Sequence, residues 1–366
     1  MDKVLSVCIA SYNKAEITAK LVKSLLTCDN PELEVVVVDN ASTDNTVELL
    51  REIEDDRLRV KKNEKNIGGV PNMVEAWLAG QGQYGIYTND RDVIYPEKIN
   101  DFISYLKSHP YVGGGQCVRN VIRNSPLSIE YQGTDAILNM AFRDEHPTGF
   151  FFKRELLDSI PKESLDKYTE PKGYSSFVWE NILCEIICKG YVVVKYNNVI
   201  WHSTGATSSA KYISGSYKIE EASDRWFFPG NCLRRTIGNT DDTLRLCKEN
   251  GIKLNLEERY QLYAHLLVPE YTFAVYRYKV IYESQIQAFH YKVPNRKVGK
   301  EEMDKCRSDI LNGYIDYVRN IEKGTNELER LITASVQCVD KNNRMTIRKY
   351  LSNIKKQIKS ILVKKD

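Results

Sequence analysis

Four consecutive valines, Val35 to Val38, run between Glu34 and Asp39 and constrain this chain more than any other stretch. A strand wetted on one face alternates apolar with polar residues, whereas an unbroken β-branched run suits a strand buried on both faces, as in a parallel sheet. The run is one of a series. Val4 to Ile9 is a strand of the same kind, and a helical stretch follows from Ala15 to Leu26. After Asp39 come a helix from Thr43 to Ile53, a strand near Leu58 to Lys62, a helix near Val70 to Ala79 and the strand Tyr84 to Thr88. This alternation predicts an α/β domain of nucleotide-binding type, whose ligands lie at the carboxyl ends of the strands. Further strands are expected at Val112 to Val121 and Tyr191 to Ile200, with a helix from Ser176 to Lys189 before the latter.

Beyond about Ser216 the pattern turns helical. Asn255 with Glu258 reads as a capping box, and apolar residues follow at helical spacing at Leu256, Tyr260, Tyr263 and Leu267. Similar stripes recur at Tyr271, Val275, Tyr278, Tyr282 and Phe289, and at Met303, Cys306, Ile310, Tyr317 and Ile321. The chain of 366 residues, 42% of them apolar, is long enough for two domains, read as 1–215 and 216–366. A Gly/Ser/Thr-rich segment, Ser203 to Ser216, separates them and is a candidate lid. The helical region is a candidate for acceptor binding, homo-oligomer formation or membrane contact.

Nine cysteines without a CxxC pair, and the lack of an N-terminal apolar segment with basic flanks, point to a reducing, cytoplasmic compartment. No apolar run approaches the roughly 20 residues that span a bilayer, so membrane association would be peripheral, at its inner face. Of 52 basic and 49 acidic residues, nine and one respectively fall within 341–366. The body is therefore mildly acidic, which argues against a nucleic-acid binder with its basic patch. In the tail, Ile347, Tyr350, Leu351, Ile354, Ile358, Ile361 and Leu362 repeat at three and four residues, with lysines on the rest of the turn. Such a basic amphipathic helix suits an anionic membrane surface, and equally a helix packed on its neighbours with a solvated lysine face.

Asn89-Asp90-Arg91-Asp92 carries the chemistry. Two carboxylates one residue apart at the end of a strand can hold Mg²⁺ or Mn²⁺, and through the cation a nucleotide diphosphate, because hard cations take oxygen ligands. Any surface turn can contain two aspartates. Here the turn is the last of an ordered series: Val7-Cys8-Ile9-Ala10-Ser11-Tyr12-Asn13, then Val36-Val37-Val38-Asp39-Asn40-Ala41-Ser42-Thr43-Asp44, then Asn66-Ile67-Gly68-Gly69 with Asn72.

With these motifs the first 205 or so residues resemble a family 2 glycosyltransferase of the GT-A fold, of the kind that builds bacterial surface glycans or glycoproteins. The resemblance implies that Ser11, Tyr12 and Asp39 hold the base and ribose, with Asp39 accepting a hydrogen bond from a uracil or thymine ring N–H. It also makes Asn13, Asn66, Gly68 and Asn72 donor-site residues. Asp92 becomes the direct metal ligand and Asp90 a contact to ribose or metal-bound water. Arg91 departs from the small or acidic residue many relatives carry there, and its guanidinium can pair with the diphosphate or a neighbouring carboxylate. His202, within Trp201-His202-Ser203-Thr204-Gly205, falls where many GT-A enzymes have a further metal or diphosphate ligand. Thr148-Gly149-Phe150-Phe151 resembles the acceptor-side strand.

Transfer to a hydroxyl needs a base, for which a carboxylate is the usual choice. Glu180 is the candidate, since Leu183, Cys184 and Ile187 follow three, four and seven residues later on one helical face. The family commonly carries a second acid beside it, where this chain has Asn181. A carboxylate at a helix start also serves to bond backbone amides.

The expectation is an inverting, metal-dependent cytoplasmic enzyme. It would move a sugar from a UDP-sugar to a glycan, lipid-linked saccharide or glycoprotein. A non-catalytic glycosyltransferase-like partner subunit is the rival reading.

Overall fold

The structure, a computed structural model, describes residues 2–118, 124–143, 146–169, 177–198, 200–203, 229–285, 288, 293–322, 329–330, 332–333 and 336. They fall into two compact units, one ending at Ser203 and the other beginning at Pro229. The Ser203 to Ser216 lid, apart from Ser203 itself, and the basic tail 347–362 lie outside the described residues, as do the 215/216 boundary and Phe289.

In the first unit the strands are β1 (Leu5–Ser11), β2 (Leu33–Asp39), β3 (Leu58–Lys62), β4 (Tyr84–Asn89), β5 (Asp92–Ile94), β6 (Val112–Cys117), β7 (Ser128–Tyr131), β8 (Phe150–Lys153), β9 (Val192–Tyr196) and β10 (Trp201–Ser203). Eight form one sheet in the order β3-β2-β1-β4-β8-β6-β9-β7. β3, β2, β1 and β4 are parallel, joined by helices Ala15–Leu26, Thr46–Arg51 and Gly69–Ala79. β8 then runs antiparallel to both β4 and β6. The valine run is buried throughout, as a doubly covered strand requires. At the outer edge β3 carries Arg59, Lys61 and Lys62, charges that discourage pairing with another chain.

The sheet is mostly parallel and helix-flanked, as expected, but three details depart from the sequence reading. The helix expected from Thr43 begins at Thr46, because residues 39–45 are committed to a hydrogen-bonded loop. The strand expected to Val121 ends at Cys117, and the one expected over Tyr191 to Ile200 is the shorter β9, with β10 a separate strand beyond it. β6 contains three consecutive glycines. A Cβ on Gly115 would lie 2.0 Å from the Val194 carbonyl oxygen, and one on Gly114 2.8 Å from that of Phe151. No side chain fits where β6 lies against the backbones of β8 and β9.

In the second unit the helices are Pro229–Glu249, Leu256–Glu283 and Lys300–Ile321. The capping box forms as predicted: Glu258 N–H donates to the Asn255 side chain at 3.0 Å, and Asn255 N–H to Glu258 at 2.8 Å. The two apolar stripes that follow belong to one 28-residue helix, which runs through Pro269. Its buried face is rich in tyrosine, with Tyr260, Tyr263, Tyr271, Tyr278 and Tyr282 packed with Tyr314 in one core. Buried phenols need partners; Tyr263 donates to Glu322, and Tyr278 to Glu302 at 2.7 Å. Among the described residues no helix is long and apolar enough to cross a membrane.

Arg296 forks onto Glu302 at 2.6 and 2.8 Å, and that bond, followed by the one from Tyr278, holds the Glu302 carboxyl down at about 2. A depressed carboxyl contributes stability above its unfolded value of about 4.5 and loses it as pH falls through the folded value. In urea unfolding of the full chain, Glu302→Gln should flatten the decline in stability between pH about 4.5 and 2. An unchanged slope would show that the pair carries no linkage.

Candidate functional site

The parallel register sets three strand ends at one edge. Ser11 pairs with Asp39 across β1 and β2, and Ala10 with Asn89 across β1 and β4. The loops after these strands therefore start together, at the carboxyl edge where open α/β sheets bind ligands.

Hydrogen bonds then stitch the first two loops to each other. Asn13, in the left-handed region with φ 52°, donates its N–H to Ser42 Oγ at 2.8 Å, while its side-chain oxygen accepts from the Thr43 N–H at 2.8 Å. Ser42 in turn donates both its N–H, at 2.9 Å, and its hydroxyl to the Asp39 carboxylate. Asp44 accepts from the Ala15 N–H at 3.2 Å and from Thr46. Ser11 is buried, its hydroxyl bonded to Thr18 at 2.8 Å. Tyr12 is half-buried, with no bond or ring contact among the described residues. Of the loop residues named from sequence, Ser11, Asn13 and Asp39 thus have structural tasks, and Tyr12 keeps its ring available.

A second set of bonds fixes the loop after β3. The Asn40 amide donates to Asn66 at 2.9 Å and to the Gly68 carbonyl at 3.2 Å, and accepts from the Ile67 N–H at 2.9 Å. Asn63 donates to Asn72 at 2.8 Å, and Asn72 donates to the Val38 carbonyl at 3.0 Å. Gly68 has φ 98°, which glycine alone adopts without strain, and caps the helix Gly69–Ala79. Asn66 and Asn72, expected at the donor, are therefore occupied in shaping the loop. Asn40 and Asn63 complete the amide cluster; their place in the sequence motifs was visible, but not their pairing.

The Asp-x-Asp segment is a two-residue turn, Asp90-Arg91, between β4 and β5, with Asp92 the first residue of β5. The two carboxylates differ. Asp90 is buried at 6% exposure and accepts from Lys14 Nζ at 3.0 Å on each oxygen, an ion pair that sequence reading missed. Lys14 follows the β1 loop directly, which is the signal that could have found it. Asp92 Oδ2 accepts from Thr148 Oγ at 2.5 Å and Asn89 Nδ2 at 3.1 Å, with His146 Nε2 at 3.5 Å. Its Oδ1 has no partner among the described residues. Burial, then the charges of Asp90 and Asp92, push the Tyr87 phenol beside them well above its usual value.

β5 and β10 pair so that Asp92 faces Ser203 and His202 faces Val93. Side chains alternate across a strand, so Asp92 and His202 project from opposite faces of this ribbon. His202 lies against Tyr95, ring centres 5.1 Å apart, and its Nδ1 is buried without a partner among the described residues. His146 occupies the Asp92 face instead, stacked on Trp201 at 4.9 Å. Among the described residues no three His, Cys, Asp or Glu side chains converge as a metal cluster. One open carboxylate oxygen still fits Mg²⁺ or Mn²⁺, which commonly take one or two carboxylates and complete their shell with phosphate oxygens and water.

Glu180 lies in the first turn of the helix Val178–Cys188, inward-facing as its spacing predicted and 2% exposed. Its oxygens accept from the backbone N–H groups of Phe142, at 2.6 Å, and Arg143, at 2.9 Å. Phe142 holds φ 56°, an unfavourable value for an aromatic residue, so the carboxylate supports a strained turn. Asn181 beside it is also buried.

Residues 6–160 match the family model described as Glycosyl transferase family 2. Among curated proteins, a 109-residue stretch is 32% identical to poly(ribitol-phosphate) beta-N-acetylglucosaminyltransferase TarS of Staphylococcus aureus, covering 28% of this chain and 19% of that one. A 108-residue stretch is 27% identical to UDP-Glc:alpha-D-GlcNAc-diphosphoundecaprenol beta-1,3-glucosyltransferase WfaP of Escherichia coli, covering 29% and 42%. The chain thus spans from about a fifth to two fifths of the length of these relatives. Among solved structures, S. aureus TarS 1–349 superposes with TM-score 0.58 at 15% identity, over 93% of this chain and 92% of that one. The mannosyltransferase PcManGT of Pyrobaculum calidifontis, solved with GDP-Man and Mn²⁺, gives 0.51 at 15% identity over 98% and 87%. At these identities the likeness is one of fold, the GT-A type.

Breaking a buried ion pair leaves a charge without its partner, at a cost of about 3 kcal/mol, whereas a surface pair is worth under about 1 kcal/mol. Lys14→Met should therefore destabilise the chain by about 3 kcal/mol in urea unfolding, and adding Asp90→Asn should recover part of the loss. A cost under about 0.5 kcal/mol would identify the pair as solvent-screened.

Proposed function

Residues 6–160 belong to glycosyltransferase family 2, and from that membership we propose that the chain transfers a sugar from a nucleotide diphosphate donor to an acceptor hydroxyl. The observation that carries the proposal is Asp92 Oδ1, which has no partner among the described residues and lies at the same sheet edge as the loops after β1 and β2. The first domain, read as 1–215, is assigned the donor site. Tyr12 is assigned to the base by stacking. Asp39, whose oxygens each keep a lone pair after bonding Ser42, accepts the N–H of a uracil, which favours UDP-sugars. WfaP, by its name, uses UDP-glucose, and TarS transfers N-acetylglucosamine; both agree with a hexosyl or N-acetylhexosaminyl donor. The acceptor class is a hydroxyl of a bacterial surface glycan, lipid-linked saccharide or glycoprotein.

Asp92 would hold Mn²⁺ or Mg²⁺ together with the diphosphate, and the cation when bound would offset charge on the leaving group. His202 is left out of that shell by the ribbon geometry. Transfer by one displacement inverts the anomeric centre: the acceptor oxygen bonds to C1 as the C1–O bond to phosphate breaks. The acceptor proton goes to Glu180, which must exchange one backbone amide for the incoming hydroxyl. Lys14 keeps Asp90 neutralised, so a second bare carboxylate does not face the diphosphate.

One observation favours a second reading. Glu180 is occupied by the Phe142 and Arg143 amides and has Asn181 for a neighbour, as suits a non-catalytic partner subunit that keeps the fold.

Incubating the full chain with UDP-sugars and Mn²⁺ should release UDP and raise the melting temperature, since a ligand of the folded state stabilises it. No release with any donor would favour the partner subunit. Glu180→Gln should abolish transfer while donor binding persists; turnover near wild type would leave Glu180 only its structural task. Asp92→Asn should remove the Mn²⁺ dependence of UDP binding.

A further inference from the structure

Thr148 has no role in the donor chemistry above, yet it is the side chain closest to Asp92. It is fully buried, its hydroxyl accepting from the Asn89 N–H at 3.0 Å and donating to Asp92 Oδ2 at 2.5 Å. A hydroxyl has one proton to give. With the Asn89 N–H filling an acceptor position, that proton is directed at the carboxylate. The Asn89 amide and His146 approach the same oxygen, so Oδ2 is saturated while Oδ1 has no partner among the described residues. The carboxylate can neither rotate freely nor offer both oxygens.

The backbone fixes this arrangement. Gly149 has φ 94°, donates its N–H to the Tyr87 carbonyl at 3.0 Å, and leaves room for the Trp201 indole: a Cβ there would meet Trp201 Nε1 at 2.4 Å and the Cys117 carbonyl at 2.8 Å. Trp201 uses that room to donate to Cys117 O at 3.0 Å and to carry His146 on its face. The Thr148 hydroxyl is thus held over the end of β4 by three strands.

We propose that Thr148 is the positioning residue of the cation site, holding Asp92 so that only Oδ1 binds the ion. The inference rests on the donor-site reading of Asp92. Partners that orient a metal ligand typically change metal affinity by about 10- to 100-fold when removed. The expected effect of Thr148→Val is a rise of about tenfold in the Mn²⁺ concentration giving half-maximal UDP binding, with UDP binding in EDTA unchanged.

Calorimetric titration of UDP across a Mn²⁺ series tests this on the full chain, with thermal unfolding of each ligand-free variant beside it. Thr148→Ser, which keeps the hydroxyl, should match wild type. Asn89→Leu, which removes a second donor to the same oxygen, should shift the Mn²⁺ midpoint in the same direction and decides the matter if Thr148→Val does not fold. A Mn²⁺ midpoint unchanged in Thr148→Val, or in Asn89→Leu in its place, would limit Thr148 to structure and overturn the proposal. Wild-type chain that binds UDP without regard to Mn²⁺ would overturn the cation reading itself and this inference with it.

Discussion

The parallel pairing of β1 with β2 and β4 is the constraint on which the rest depends. It places Ser11, Asp39 and Asn89 at one edge, so the three loops that follow have no choice but to meet. Everything local then serves to prevent those loops from collapsing on one another. Left-handed backbone at Asn13 and Ala41 turns the chain back, and side-chain bonds to loop amides supply the hydrogen bonds that irregular backbone would otherwise lack.

Much of this was legible in the sequence. The valine run, its two-sided burial and the alternation with helices follow from hydrophobic pattern alone, and the capping box at Asn255 from local chemistry. What escaped was long-range or compositional. Strands are expected near both β6 and β8, but β8 runs Phe-Phe-Phe-Lys without alternation and β6 holds three glycines, so neither the extent of these strands nor the antiparallel insertion of β8 between β4 and β6 follows from the pattern. The helix Pro229–Glu249 carries Thr236, Asn239, Thr240 and Thr243 on its buried face, which hides the stripe a periodicity search looks for; Thr236, Thr240 and Thr243 donate to carbonyls four residues back.

The candidate site divides along the same line. Sequence gives Asp90 and Asp92 different expected roles, but the partners that make their environments differ appear only in the fold, since Lys14 and Thr148 lie 76 and 56 residues away from the carboxylates they bind. Several residues expected at the site also hold its shape: Asn66 and Asn72 tie down a loop, and Glu180, the expected base, bonds the backbone of a turn.

The asparagine cluster has a consequence of its own. Four amides, Asn40, Asn63, Asn66 and Asn72, do the work that carboxylates or hydroxyls could have done at that edge. An amide donates and accepts at once and has no ionisation in the physiological range. The loop after β3 is thereby held by bonds between groups that do not ionise. Whatever charge arrives at this edge meets Lys14, Asp90, Arg91 and Asp92 on one side and, on the other, a loop whose fixing bonds do not change with the charge state.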